Sequence, residues 1–388
     1  MRKRIYFILI ILALAFLLFI IFSIVPEFFG AGIVSYKKRE VIKEMIKKVV
    51  EHKLPPLDTV LYDKKMLVLA NNPVPKVVVP KVPKTVKKVK AGKTAVSAVL
   101  PAPEPVPTPS PALKPTLWPV KTMYPLAGAI LPFSRIVAYY GNLYSKGMGV
   151  LGQYSTDEML SQLDVEVKKW KLADPSTPVI PALHYITVVA QGNAGADGKY
   201  RSRMPYSEID KVLEIAKKVN AILFLDVQVG FSTLENELPL LEKYLKLPQV
   251  HLGIDPEFSM KGTIRPGKIV GTYDASDINY AIDFLAKIVK DNNLTPKILV
   301  VHRYTEKMVT NYKNIKPVPE VEVVMNMDGW GVKAKKLNTY KEFVYKQPVQ
   351  FTGFKLFYKN DVLTPGTVLF TPEELLKLNP RPIYIQYQ

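Results

Sequence analysis

Cysteine is absent from all 388 residues. That excludes disulfides, thiolate metal sites, cysteine nucleophiles and a lipobox-type lipid anchor. H-E-x-x-H, H-x-H, P-loop and G-x-S-x-G patterns are also absent, which leaves no signature of a zincin, a phosphate-cradling loop or a serine hydrolase. Asp226, Asp255, Glu257 and His302 could gather around a metal, but no spacing asks for one. No metal or cofactor is expected.

Acidic residues are short against basic ones, 34 to 53, a net charge of +19. Residues 1–130 hold 21 of the Lys and Arg but only 7 of the Asp and Glu, so the remaining 258 residues are nearly balanced. A nucleic-acid footprint should sit on the folded domain. The excess lies elsewhere, and no nucleic-acid partner is expected.

Four regions follow from texture. Residues 1–30 open with Arg2, Lys3 and Arg4 and continue through an uncharged apolar run from Ile5 to Val25. About 20 such residues span a bilayer core, and no small-x-small cleavage site follows. The expectation is an uncleaved, single-pass membrane anchor with a cytoplasmic tip. Residues 31–72 form a basic juxtamembrane segment, with Val41, Ile42, Met45, Ile46, Val49 and Val50 at helical spacing. Residues 73–130 are Pro/Lys-rich, with thirteen prolines between 73 and 125. This composition excludes helix and central strand and predicts an extended, disordered spacer. Such a spacer could touch a cell wall and hold residues 131–388 away from the membrane, on its extracytoplasmic side.

From residue 131, apolar runs alternate with amphipathic segments. The strands read are 135–141, 178–186, 221–228, 250–257, 297–304, 321–329, 353–359 and 381–387. Ser155-x-x-Glu158, Ser207-x-x-Asp210 and Thr371-Pro372-Glu373-Glu374 resemble helix starts. Eight strands buried on both faces and separated by seven helices fit a (β/α)8 barrel. An open doubly wound sheet is the alternative.

Chemistry in such a barrel sits at the C-terminal strand ends, where alternate residues point inward. "VHLGIDPEFSM" ends the fourth strand with Asp255 and Glu257 on one side. Asp226 and Gln228 end the third, His302 and Tyr304 the fifth, Asn326 and Asp328 the sixth. Tyr139, Tyr140 and Asn142 end the first, His184 the second, Lys355 lies on the seventh and Gln386 on the eighth, while Trp330 follows the sixth. Buried polar groups cost free energy unless paired, so a polar ring from nearly every strand points to a ligand site. Glu257 is the candidate general acid/base, with Asp255 orienting it or raising its pKa by like-charge repulsion. Asp226 and Asp328 could flank a sugar, or pair with Lys355. Glu257 could instead pair with Lys261, Arg265 or Lys268 in the next loop. Lys355 could form a Schiff base if desolvated. "GMGVLG", Gly147–Gly152, matches G-x-G-x-x-G, but it lies past the first strand and no acid closes the second, so it reads as a first βα loop. The basic residues Lys199, Arg201, Arg203, Lys261, Arg265 and Lys268 could favour an anionic ligand if their loops overhang the site.

Across 135–388, "YYGNLYSKGMGVLG", "VIPALHYITVVAQG", "FLDVQVG", "LGIDPEFSM", "ILVVHRYT", "MNMDGWG" and "FKLFY" resemble an uncharacterised family of exported bacterial proteins, often lipoproteins, with no assigned activity. A membrane helix stands here in place of the lipid anchor. Two stretches are also similar to chitinase-type glycoside hydrolases, whose fourth strand ends D-x-x-D-x-D-x-E. Glu257 and Asp255 fall on the acid and its helper, while Val250 and Gly253 occupy the other two acid positions. The family's M-x-Y-D keeps Met325 and Asp328 but has Met327 in place of Tyr. Together with the apolar run and the paired carboxylates, this leads to the expectation of a membrane-anchored, extracytoplasmic glycoside-hydrolase-like protein acting on a cell-surface or environmental glycan by carboxylate acid/base chemistry, its ligand a glycan or another polar small molecule. A non-catalytic glycan-binding or wall-anchoring barrel is one alternative, and a Schiff-base lyase using Lys355 is another.

Overall fold

Strands buried on both faces need hydrogen-bond partners on both edges, and eight of the apolar runs supply them to one another. The structure, a computed structural model, describes residues 54–73 and 116–388. The apolar run 5–25, the helix read over 41–50 and residues 74–115 of the spacer lie outside the described residues. Among the described residues no helix is long and apolar enough to cross a membrane. The strands are β1 (Arg135–Gly141), β2 (Val179–Ala190), β3 (Ile222–Val227), β4 (Val250–Ile254), β5 (Lys297–Arg303), β6 (Val321–Met327), β7 (Phe351–Leu356) and β8 (Tyr384–Tyr387). Each pairs in parallel with the next. β8 returns to β1 through Ile136 opposite Tyr384. The sheet is therefore a closed barrel with no free edge among these strands, and the open-sheet alternative falls.

The main helices are α1 (Thr59–Ala70), α2 (Thr156–Ala173), α3 (Tyr206–Lys218), α4 (Leu234–Leu245), α5 (Ala275–Asn292), α6 (Lys333–Tyr340) and α7 (Pro372–Leu375), and short strands and helical turns lie in the connections. Ser155 caps α2 by accepting the Glu158 N–H, and Thr371 and Glu374 form a reciprocal box at α7. Ser207 is not a cap: extended Pro205 starts α3 two residues earlier, and no side chain caps it. One connection lacks its helix. Between β5 and β6 the chain makes only a short helical turn at Tyr312–Asn314, and Pro317 and Pro319 keep that turn from running on toward β6.

Two apolar layers result. One lies between strands and helices, with Trp170, Leu238 and Ile282 in it. The other fills the barrel's lower half with Ile136, Ala182, Phe224, Val300, Val324, Phe351 and Tyr384. Tyr62 and Met66 of α1 join this inner layer. The Lys65 ammonium donates to the Ser176 carbonyl, Asn71 to the Leu378 carbonyl, and the Leu126 N–H to the Pro319 carbonyl. All three acceptors precede strands, so residues 56–73 and 116–130 lie across the N-terminal mouth of the barrel.

Glu322 of β6 is part of that closure. Its carboxyl is fully buried and accepts the N–H groups of Ile130 at 3.2 Å and Leu131 at 2.8 Å. Burial still pushes it up to about 8 from an ordinary 4.5. An acid raised on folding keeps its proton after the unfolded chain has lost it. Its contribution to stability is therefore full below about 4.5 and falls as pH rises to about 8, by up to about 1.4 kcal/mol per pH unit. Urea unfolding of Glu322→Gln between pH 5 and 8 should show a flatter pH dependence than wild type. An unchanged slope would mean that the two N–H groups hold Glu322 ionised.

Candidate functional site at the C-terminal mouth

The period of two that buries Ile136, Phe224 and Val324 in the lower half places polar side chains above them. Tyr140, His184, Asp226, His302, Asn326, Lys355 and Gln386 are all buried at that upper level. Asp226 is the hub. Its Oδ1 lies 3.1 Å from His184 Nε2 and 3.4 Å from His302 Nε2, and its Oδ2 accepts the Tyr140 hydroxyl at 3.1 Å. His302 Nδ1 lies 3.0 Å from Asp328 Oδ2, and the other oxygen of Asp328 lies 2.9 Å from Lys355 Nζ. That ammonium also sits 3.8 Å from the centroid of the Tyr140 ring. His184 Nδ1 lies 2.6 Å from the Tyr384 hydroxyl, which accepts the Gln386 amide. Gln386 in turn accepts from Asn326 at 3.3 Å.

Above this network opens a cavity of about 750 Å³. Tyr140, Gln228, Asp255, Glu257, Tyr304, Asp328, Trp330 and Lys355 line it, as the strand-end reading expects. His184, Asp226, His302, Asn326 and Gln386 lie one layer beneath and reach it only through the residues they contact. Two expected residues face elsewhere. Tyr139 points outward, its hydroxyl 3.1 Å from that of Tyr358, because β1 alternates and Tyr140 takes the inward place. Asn142 donates to the Ile186 carbonyl and accepts the Tyr144 N–H, closing the turn after β1.

Asp255 caps the single turn Pro256–Phe258 by accepting the Glu257 N–H at 3.0 Å, and Gln228 donates to its other oxygen at 3.4 Å. Burial raises the Asp255 carboxyl well above the usual range; His302 opposes this, and Glu257, Asp226 and Asp328 add to it. Glu257 is raised as well, by burial first and then by Asp328. Burial would also raise Asp328, but Lys355 and His302 outweigh it and hold that carboxyl below its ordinary value. Burial would raise Asp226 too, and His302 and His184 outweigh it. Burial brings His184 down to about 4; in His302 it is overridden by Asp226 and Asp328, which push the imidazole up to about 10. The cavity thus holds one carboxyl, Glu257, raised above its ordinary value and another, Asp328, held below it.

The basic loops do not reach the site. Arg201 lies 2.7 Å from Asp197 and 2.9 Å from Glu237, Arg203 lies 2.7 Å from Glu237, and Lys261 lies 3.0 Å from Asp277. Arg265 donates to the Gly192 carbonyl. None of these, nor Lys199 or Lys268, lines the cavity, so the case for an anionic ligand loses its basis there. The same pairings leave Lys261 and Arg265 engaged away from Glu257.

Phe357, Met148, Thr305, Lys335 and Thr339 also line the cavity. Phe357 was within reach of the sequence, two residues beyond inward-facing Lys355. Met148 was not, since its place depends on the fold of the first βα loop. That loop explains the G-x-G-x-x-G match. A Cβ at Gly149 would come within 2.3 Å of the Tyr140 carbonyl, and one at Gly152 within 2.2 Å of the Asn142 carbonyl. The glycines let the loop lie against the end of β1.

No protein-family model matches the chain, and no curated protein is similar to it. Among solved structures, Thermotoga maritima Cel5A in complex with cellobiose is 11% identical, over 65% of this chain and 88% of its own, at a TM-score of 0.34. A GH5-4 broad specificity endoglucanase from Clostridium acetobutylicum is 13% identical, over 65% of this chain and 87% of its own, at a TM-score of 0.36. Superposition of this depth adds nothing to the strand pairing, which establishes the barrel by itself.

Proposed function

We propose that the protein is a membrane-anchored, extracytoplasmic glycoside-hydrolase-like enzyme. One observation carries the reading. Asp255 and Glu257, both raised by burial, line the same open cavity as Asp328, which Lys355 holds at 2.9 Å. Glycoside hydrolysis needs a carboxylic acid to protonate the leaving oxygen and a carboxylate to act on the other side of the sugar. Glu257 takes the first role, Asp255 positions it through the capping bond, and Asp328 takes the second. Trp330, Phe258 and Tyr304 line the cavity and offer faces for sugar rings to stack on. The anchor and the outward location rest on residues 1–30 and the spacer.

A non-catalytic glycan-binding barrel is the second reading, favoured by Gly253 at a position where the chitinase-type pattern has an acid. A side chain there would meet Asp226 and His184 within 2.4 Å, so that part of the pattern cannot be restored in this fold. The lyase reading is weaker. A Schiff base needs a free amine within reach of a carbonyl carbon, and Lys355 Nζ is engaged by Asp328 at 2.9 Å and lies 3.8 Å from the centroid of the Tyr140 ring.

The deciding experiment uses the full-length chain in detergent and a panel of β-glucans, xylan, chitooligosaccharides and peptidoglycan fragments. Release of new reducing ends from at least one substrate is the expected result. Binding of a glycan with no release from any would establish the second reading.

A further inference from the structure

We propose that His184, Asp226 and His302 form a binding site for a divalent first-row transition ion at the centre of the barrel, one layer beneath the cavity floor. The ligands come from β2, β3 and β5, which is why no sequence spacing announces the set. All three side chains are fully buried. Their ligand atoms lie within 4.8 Å of one another, with Asp226 Oδ1 at 3.1 Å from His184 Nε2 and 3.4 Å from His302 Nε2. In a tetrahedral shell with metal–ligand bonds of about 2.0–2.2 Å, ligand atoms sit roughly 3.3–3.5 Å apart. Two imidazoles and one carboxylate are a donor set that binds such ions.

Three observations fit a ligand between these side chains. His302 Nε2 is buried and faces Asp226 Oδ1 at 3.4 Å without the geometry of a hydrogen bond. Each histidine is also held from behind, His302 Nδ1 by Asp328 at 3.0 Å and His184 Nδ1 by the Tyr384 hydroxyl at 2.6 Å. Partners on the far ring nitrogen are what orient metal-ligating histidines and fix their tautomers. The third observation is Gly253, where a Cβ would come within 2.4 Å of both Asp226 Oδ1 and His184 Nε2. Any other residue at 253 would crowd the space between the donors. Asp226 supplies a buried carboxylate as the anionic ligand, and Asp328 is already paired with Lys355 at 2.9 Å. An ion would enter from the cavity past Tyr140, whose hydroxyl touches the carboxylate of Asp226.

The test needs no substrate. The full-length chain, without a histidine tag and purified in detergent, is stripped with a chelator and titrated separately with Zn²⁺ and Co²⁺. Bound metal is counted after gel filtration, and Co²⁺ is followed by its visible ligand-field band. One equivalent of either ion is expected. Removing an outer partner of a metal ligand typically weakens binding 10–100-fold, so Tyr384→Phe should lose about that much and Asp226→Asn at least about 100-fold. If Asp226→Asn does not fold by circular dichroism, Tyr384→Phe, which keeps the ring, carries the test. Failure of the wild type to retain either ion, or binding unmoved in the folded variants, overturns the proposal. His302 would then be an imidazolium bridging Asp226 and Asp328.

Discussion

Glu257→Gln should lower glycan hydrolysis by roughly 10²–10⁴-fold, the usual loss when a general acid is removed, while leaving ligand affinity nearly unchanged. Glutamine keeps the shape and the polar contacts of the side chain but has no proton to give. The pH profile supplies a second readout. Burial and Asp328 raise the Glu257 carboxyl, so its acid form persists to a higher pH than in an ordinary glutamic acid. Activity that depends on this form is present below the raised pKa and is lost as pH rises through it. The alkaline limb should vanish from the residual activity of Glu257→Gln. Asp255 acts differently, by accepting the Glu257 N–H in the turn that aims the side chain. Asp255→Asn keeps that acceptor and should retain more activity than Asp255→Ala, which loses it. Hydrolysis by Glu257→Gln at the wild-type rate would remove Glu257 from the acid role and leave Asp255, the other raised carboxyl in the cavity, as the candidate.

The sequence made the barrel legible because its strands are apolar on both faces and end in polar residues. Val250 to Ile254 illustrates the gain: once the run is a strand, alternation alone sends Gly253, Asp255 and Glu257 the same way. Alternation has two solutions at each strand end, however. Tyr139 and Tyr140 are the same residue type, and only the β1 register settles which faces the cavity. Depth was not legible either. Asp226 and Asp255 both read as strand-end acids, yet Asp226 lies beneath the floor because it stands inside β3, while Asp255 follows the last residue of β4. Contacts set by loops, such as Met148 and Thr305, leave no periodic trace. The same holds for α1, which lies in the stretch read only as a basic juxtamembrane segment, and whose Tyr62 and Met66 find their place once the barrel mouth they fill is formed. His184 and His302 are separated by 118 positions in the chain, and nothing short of the closed barrel brings their rings to the same carboxylate.

Asp361→Ala should destabilise the barrel by about 3–5 kcal/mol, the usual cost of removing one partner from a buried ion pair. Asp361 Oδ2 accepts Lys336 Nζ at 2.7 Å and the Phe357 N–H at 3.0 Å, and Oδ1 accepts the Gly331 N–H at 2.9 Å. Both side chains are almost fully buried. Lys336 also donates to the Lys355 carbonyl, so one carboxylate and one ammonium tie together the loop after β6, helix α6 and the end of β7. Burial brings the Lys336 ammonium down to about 8, against the opposing pull of Asp361. Without Asp361 that pull is gone and two backbone N–H groups lose their acceptor, a penalty that accumulates because the site admits little water. Trp330 and Phe357 stand on the segments so joined, and Lys335 lies 4.6 Å from the Trp330 ring centroid. A folded Asp361→Ala chain should therefore bind glycan less tightly as well. Removing both charges separates the two effects. Lys336→Met with Asp361→Leu leaves no unpaired ion, and apolar replacement of a buried pair is often neutral or stabilising. Urea midpoints should place this double variant well above Asp361→Ala. A double variant as unstable as the single one would show that the N–H groups of Gly331 and Phe357, rather than the ammonium, are what Asp361 holds in place.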